Sequence, residues 1–168
     1  MRSRNVKKCR FQVEPLEGRV SLSATGAAHH ALAAEVAPKT VPYKEFATLV
    51  STIPTGVNTS ATELTGTATY FGSVTILINS TVDPSTGVVH QTFARVGANG
   101  ATMFGTAVAT PTGNTTGVVD TLAITVTGGT GRFKGVTGSQ TGVIYVDPTT
   151  HVQTSDVEGT LTFPGSSA

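Results

Sequence analysis

The sequence predicts an all-β protein: a small antiparallel β-barrel of about eight strands behind a disordered N-terminal leader. Three observations predict this class. The 168 residues include 31 threonines and 21 valines, whose branched side chains favour strands. Nineteen glycines and eight prolines divide the chain into short segments. Only 12% of the residues are charged and no apolar run is long enough to cross a membrane as a helix, so we expect neither a helical bundle nor a transmembrane segment.

The positive charge is concentrated at the N-terminus. Residues 1–19 carry six cations and two acids, whereas the remainder carries five cations and eight acids. A basic start followed by small residues is typical of a secretory leader, and Ala31-Leu32-Ala33 has the small-x-small pattern of a cleavage site. We therefore divide the chain into a leader and linker, 1–40, and a barrel domain, 41–168. The acidic body lacks the basic surface that binds phosphates, which excludes nucleic acid as a partner.

Residues 11–23 read FQVEPLEGRVSLS. This segment resembles the LEPR-XLL type of N-terminal segment, which precedes bacterial exported or surface proteins, although Gly18 stands where that type often has proline. The resemblance implies an extracytoplasmic location, secreted or at the cell surface. The alternative is a short basic N-terminus with no sorting role.

The body begins with an ambiguous segment. Phe46, Leu49, Val50 and Ile53 are spaced like one face of a helix, which predicts a short helix or turn, and the alternative is an irregular lead-in. After Gly56 the pattern becomes alternating strands separated by turns. Period-two alternation and turn residues predict strands in 65–78, 88–96, 103–110, 118–127, 132–140, 141–146 and 151–163.

The turns between these strands have recognisable chemistry. Residues 83–87 read DPSTG, in which proline presets φ and glycine accepts a positive φ. Asn99-Gly100 favours a primed hairpin turn. A meander of such strands has two unpaired edges, and closing the sheet into a barrel hides both. An open sandwich is the competing architecture.

Residues 128–139, GGTGRFKGVTGS, together with 99–105, 122–127 and 158–163, resemble the small barrels of the allene oxide cyclase and dirigent group. The resemblance spans about residues 66–163. It implies an eight-stranded barrel. At the glycine-rich corner within 128–139, we expect Phe133 to turn inward between outward Arg132 and Lys134. It transfers no reaction, because no catalytic residue of that group matches a position here.

The chain contains no metal-binding or cofactor motif, so we expect no cofactor and no metal. Four residues are candidates for a ligand site: Arg95, Asp120, Tyr145 and Glu158. Asp120 is in phase with the inward side of its strand, where Arg95 could pair with it, and a carboxyl group in an apolar cavity has a raised pKa. The alternative places Asp120 at a wet rim and Arg95 and Glu158 on the exterior.

Three functions are compatible with these observations. The first is an exported or cell-surface barrel with no catalytic activity, which requires no particular constellation of residues. The second is a barrel that binds a small apolar ligand, and the third is an allene oxide cyclase-like isomerase that confines its substrate. The last two need an open interior, which an eight-stranded barrel has only when its side chains leave room.

Overall fold

The structure is a computed structural model that describes residues 37–114 and 117–165. It contains eight strands and one short 3₁₀ turn. The strands are β1 (Lys39–Gly56), β2 (Thr59–Ala68), β3 (Gly72–Val82), β4 (Val89–Gly97), β5 (Thr102–Pro111), β6 (Gly117–Gly129), β7 (Thr137–Val146) and β8 (Gln153–Phe163), with the 3₁₀ turn at Gly131–Phe133. The leader, its cleavage site and the LEPR-XLL-like segment lie outside the described residues. No helix in the described ranges is long and apolar enough to cross a membrane.

The sheet is a closed antiparallel barrel in which each strand pairs with the next in sequence. Closure comes from β1 and β8, which pair in register from Lys39↔Phe163 to Thr48↔Thr154. This confirms the predicted barrel and excludes the open sandwich. Because both terminal strands are paired, the sheet has no free edge along this seam.

Alternation along the strands separates the interior from the surface. In β6, Leu122, Ile124 and Val126 are buried, whereas Thr121, Ala123 and Thr125 are exposed, as predicted. The same alternation around the barrel produces one apolar core. Glycines within the strands allow close backbone approach: a Cβ on Gly105 would overlap the carbonyl oxygen of Thr125 on β6.

The predicted helix at 46–53 is wrong. These residues lie in the middle of β1, an 18-residue strand that pairs with both β2 and β8. Phe46, Val50 and Ile53 are exposed on the outside, whereas Leu49 packs against the core. A register shift between Leu49 and Ser51 changes the phase of alternation along β1. The four apolar residues therefore do not share one face, and their helix-like spacing is a coincidence of the sequence.

Three connections also differ from prediction. The stretch 65–78 is two strands, because the chain reverses between Ala68 and Gly72. Residues 132–136 form the 3₁₀ turn and a loop instead of a strand, and His151 and Val152 precede β8. The predicted turn at 83–87 is confirmed, since the Gly87 N–H donates to the Asp83 carbonyl oxygen at 2.8 Å.

The turn at Asn99-Gly100 is present, but its type differs. A primed type I turn needs positive φ at both central residues, whereas here only Gly100 has one, at 76°. The Gly100 N–H donates to the Gly97 carbonyl oxygen at 2.9 Å, and the Asn99 side chain accepts a hydrogen bond from the Ala101 N–H. Asn99 thus stabilises the turn through its side chain, without the strained backbone conformation.

Candidate functional site

The two ends of the barrel are built differently. One end carries the β2–β3, β4–β5 and β6–β7 connections and is filled by side chains. Phe133 is fully buried there, between exposed Arg132 and Lys134 as predicted, and its ring stacks on that of Phe71 with centroids 4.4 Å apart. Met103 and Leu161 complete the filling, both fully buried. This end of the barrel is therefore closed by packed side chains.

The other end carries the β1–β2, β3–β4, β5–β6 and β7–β8 connections, and a cavity of about 200 Å³ extends from it into the barrel. Polar side chains, none of them fully buried, surround its outer part: Thr52, Thr62, Gln91, Asp120 and Gln153. The walls below are mainly aliphatic and include Leu64, Ile76, Ile78, Leu122, Ile124, Ile144 and Val157. The barrel interior is open at one end and apolar along its walls.

A buried ion pair lies at the inner end of this cavity. Arg95 points inward from β4 and Glu45 points inward from β1; both line the cavity and are almost completely buried. Arg95 Nη2 donates a hydrogen bond of 3.1 Å to Glu45 Oε1. Arg95 Nε lies 2.6 Å from Glu45 Oε2, an ion-pair contact at an angle outside hydrogen-bond geometry. The two charges neutralise each other in an environment that would penalise either one alone.

Aromatic side chains hold this ion pair in place. The Tyr43 hydroxyl donates a hydrogen bond of 2.6 Å to Glu45 Oε2. The Arg95 guanidinium lies 4.4 Å from the centroid of the Phe93 ring and 5.3 Å from that of Tyr43, within cation–π distance of both. Burial raises the pKa of Tyr43 above its ordinary value, outweighing the opposing effect of the Arg95 charge. Tyr43 is therefore a hydrogen-bond donor that keeps its proton.

Two buried side chains have hydrogen-bonding groups left over. Arg95 Nη1 is buried and makes no hydrogen bond with any residue in the described part of the chain. The amide of Gln140, which lies within β7 and is 2% exposed, likewise has no partner for Oε1 or Nε2 among those residues. Buried polar groups are normally paired, so these unpaired groups are exceptions within the interior of the barrel.

Asp120 lies at the mouth, near the start of β6, and lines the cavity. It is half-buried, and desolvation raises the pKa of its carboxyl group. The structure therefore combines the two sequence-based alternatives for Asp120: it faces the interior and sits at the rim. It does not pair with Arg95, whose partner is Glu45.

The other two candidates lie outside the barrel. Tyr145 is 40% exposed on β7, on the opposite face of the strand from the inward Ile144. Glu158 is exposed on β8, with its carboxylate 3.9 Å from Lys44 Nζ on β1. Neither lines the cavity.

Sequence analysis missed Tyr43 and Glu45, which both contact Arg95. Tyr43, Glu45 and Ala47 alternate with exposed residues along β1, which is a period-two signal. The helix-like spacing that begins at Phe46 concealed this signal. A glutamate in phase with buried positions of β1, and an arginine in phase with buried positions of β4, would have indicated two inward charges, although not that they pair.

Comparison with known proteins identifies a fold. A solved dirigent protein, described as a pterocarpan synthase, has a TM-score of 0.54 and 13% sequence identity, covering 86% of this chain and 99% of its own. The chain shares the barrel fold of a dirigent protein. No family model and no curated protein matches the sequence.

This geometry is suited to holding a small molecule. In the described residues, no three His, Cys, Asp or Glu side chains gather as a metal site would require. The cavity instead offers aliphatic walls, a charge-neutral polar inner end and a polar rim. Ligand pockets typically have this combination, in which apolar area contributes affinity and a few polar groups fix orientation.

Proposed function

We propose that this protein is an exported, non-catalytic barrel that binds a small, mainly apolar molecule in its interior. The observation that carries the proposal is the cavity of about 200 Å³ beneath the rim, lined mainly by aliphatic side chains. A dry cavity of about 150 Å³ is enough to bind benzene. The proposed ligand is therefore about one ring with a small substituent, or an aliphatic molecule of similar volume.

The polar groups inside favour binding over catalysis. Both carboxylate oxygens of Glu45 already have partners, since Oε1 accepts from Arg95 and Oε2 accepts from Tyr43. Tyr43 holds its proton tightly, because burial raises its pKa, and so is a weak acid. An isomerase acting by confinement remains the alternative, with Asp120, whose carboxyl pKa is raised by burial, as its candidate proton-transfer group.

Binding is tested by titrating the full chain with toluene and following side-chain methyl groups by NMR. We expect shifts confined to wall methyls such as those of Ile76 and Ile124, with none at the exposed Leu77. Ala107→Leu, which fills the cavity from β5, should abolish these shifts. Ala123→Leu, on the exposed face of β6, is the matched control and should leave them unchanged. Uniform small shifts, unaffected by Ala107→Leu, would contradict the proposal.

Export is supported by the basic N-terminal segment and its resemblance to sorting segments. It is tested by fractionating native cells and determining the protein's N-terminus by mass spectrometry. We expect the protein in an extracytoplasmic fraction with its leader shortened. Intact Met1 recovered from the cytosol would refute export, while leaving the binding proposal to be judged by the titration.

A further inference from the structure

Asp120 brings an unbalanced charge to the cavity. Three charged residues line the cavity: Glu45, Arg95 and Asp120. Glu45 and Arg95 form an ion pair with each other. Within residues 37–114 and 117–165, no lysine, arginine or histidine lies within ion-pair distance of Asp120. When Asp120 is ionised, this part of the chain therefore gives the cavity wall a net negative charge.

The strand pairing directs the Asp120 side chain into the barrel. In β6 it lies two residues before Leu122, and side chains two positions apart in a strand lie on the same face. In the ladder between β6 and β7 it is paired with Ile144, and directly opposed residues also share a face. Leu122 and Ile144 both line the cavity. Because Asp120 is only half-buried on this face, a molecule in the open end can reach it.

The surroundings of Asp120 favour a cation. Burial raises the pKa of its carboxyl group, because the carboxylate has lost part of its hydration. The folded protein already bears this desolvation cost, so an entering cation is attracted without having to remove all the water from the carboxylate. The other polar side chains around the outer part of the cavity, those of Thr52, Thr62, Gln91 and Gln153, are uncharged.

The lysines and the other arginine of the described ranges lie toward the closed end. Arg132 and Lys134 are in the β6–β7 connection, and Lys39 is paired with Phe163 at the end of β8. The backbone N–H of Lys44 donates to Thr69 in the β2–β3 connection. The open end instead carries Asp83 and Asp147 in its loops, where hydrogen bonds lower the pKa of each carboxyl group. An approaching cation is therefore attracted at this end, and an anion is repelled.

Resting on the binding function proposed above, we infer that the ligand is a small apolar amine whose ammonium group donates a hydrogen bond to the Asp120 carboxylate at the open end. Its hydrocarbon part lies inside, against the aliphatic walls. Neutral molecules of the same shape bind more weakly, and anions bind weakest.

Three probes of similar size test this inference: benzylamine, benzyl alcohol and benzoate. Benzylamine is a cation at pH 7, benzyl alcohol has the same shape without the charge, and benzoate is an anion. Each is titrated into the full chain and followed at the wall methyls. We expect benzylamine to bind about ten-fold tighter than benzyl alcohol, since hydrogen bonds between charged groups are stronger than those of neutral ones, and benzoate to bind weakest.

Two matched variants locate the effect. Asp120→Asn removes the charge while preserving the shape of the side chain, so it should abolish the preference for benzylamine and leave the affinity for benzyl alcohol unchanged. Asp156→Asn makes the same chemical change on the exposed face of β8, outside the cavity. This control has the same net charge as Asp120→Asn and should keep the preference.

The outcomes separate this inference from the proposed function. Equal affinity for benzylamine and benzyl alcohol, a preference for benzoate, or binding of toluene alone would overturn the inference while upholding an apolar binding cavity. A preference for benzylamine that persists in Asp120→Asn would also overturn it, because the ammonium group would then lie elsewhere. Loss of the preference in both variants would reduce it to an effect of net charge, which contradicts a contact with Asp120. Failure of all three probes, together with toluene, would overturn both proposals.

Discussion

Arg95 and Glu45 form an ion pair across the interior of the barrel, between strands that are not neighbours. Glu45 lies on β1, which pairs with β2 and β8, whereas Arg95 lies on β4, which pairs with β3 and β5. The contact joins residues 50 positions apart. It therefore connects two sides of the barrel that no backbone ladder joins directly.

Breaking this pair on one side should destabilise the barrel more than removing it entirely. We expect Arg95→Met to lower the free energy of unfolding by about 3–5 kcal/mol, because it leaves a buried carboxylate without its cation. Adding Glu45→Gln should restore a large part of that loss. Urea unfolding of the two single variants and the double variant measures the coupling. Strictly additive losses would mean that the two charges do not stabilise each other.

Asp120 should make the stability of the folded protein depend on pH. Burial raises the pKa of Asp120 in the folded state, so the folded protein holds this proton more tightly than the unfolded chain. Its contribution to stability must then fall as pH rises from the ordinary aspartate value through the raised one. We expect Asp120→Asn to raise the Tm slightly at pH 7, with the difference disappearing in acid.

Asp147 provides a control, because its pKa is shifted in the opposite direction to that of Asp120. Hydrogen bonds from the backbone N–H groups of Thr150 and Thr149, each 2.8 Å long, lower the pKa of its carboxyl group. Asp147→Ala should therefore lower the Tm at pH 7, with the difference shrinking as pH falls through the lowered pKa. If both variants changed the Tm in the same direction, burial would not be the cause of the Asp120 effect.

Gly105 should not tolerate a side chain. Its added Cβ would overlap the backbone carbonyl oxygen of Thr125, beside a register shift between β5 and β6, so the clash is with backbone and not with a side chain that could rotate away. We expect Gly105→Ala to destabilise the barrel by at least the upper end of the usual overpacking cost of about 1–3 kcal/mol. Thr106→Ala, exposed on the same strand, should change stability by less than about 0.5 kcal/mol. Thermal unfolding of both variants decides this.

The filled end should depend on Phe133. This ring is fully buried and stacks on Phe71 with an interplanar angle of 17°. We expect Phe133→Ala to cost about 3–5 kcal/mol, the usual range for removing a buried aromatic ring. Phe46→Ala is the matched control, because Phe46 is 52% exposed on the outside of β1. Chemical denaturation should show a much smaller loss for the control, and comparable losses would contradict the assigned packing.

The fold was largely predictable because local signals agree over most of the chain. Leu122, Ile124 and Val126 alternate without interruption, and the turn at 83–87 has residues suited to its backbone. Prediction failed in β1, where apolar residues that lie on both faces of the strand have helix-like spacing in the sequence. It also failed at 132–136, where a 3₁₀ turn continues the apolar pattern without being a strand.

The candidate site was less predictable than the fold. Asp120 could be placed at the rim from its phase with Leu122. The partner of Arg95 could not be identified, because contacts across a barrel depend on how eight strands close, which no local pattern encodes. Tyr145 and Glu158 were candidates only because they are polar. Both side chains point outward, but Gly142 in β7 and Gly159 in β8 have no side chain and so obscure the inward–outward alternation in the sequence.

The contrast between the two ends of the barrel has a kinetic consequence. Because Phe71 and Phe133 close one end, the proposed ligand would enter and leave through the same opening, beside Asp120 and Gln91. Larger side chains at this opening would lower the association and dissociation rates of the ligand by the same factor. Ligand exchange would be slower, while the occupancy at equilibrium stayed the same. The residence time and the affinity of the ligand would then depend on different residues. The residence time would depend on those that narrow the opening, and the affinity on those that contact the bound ligand in the cavity.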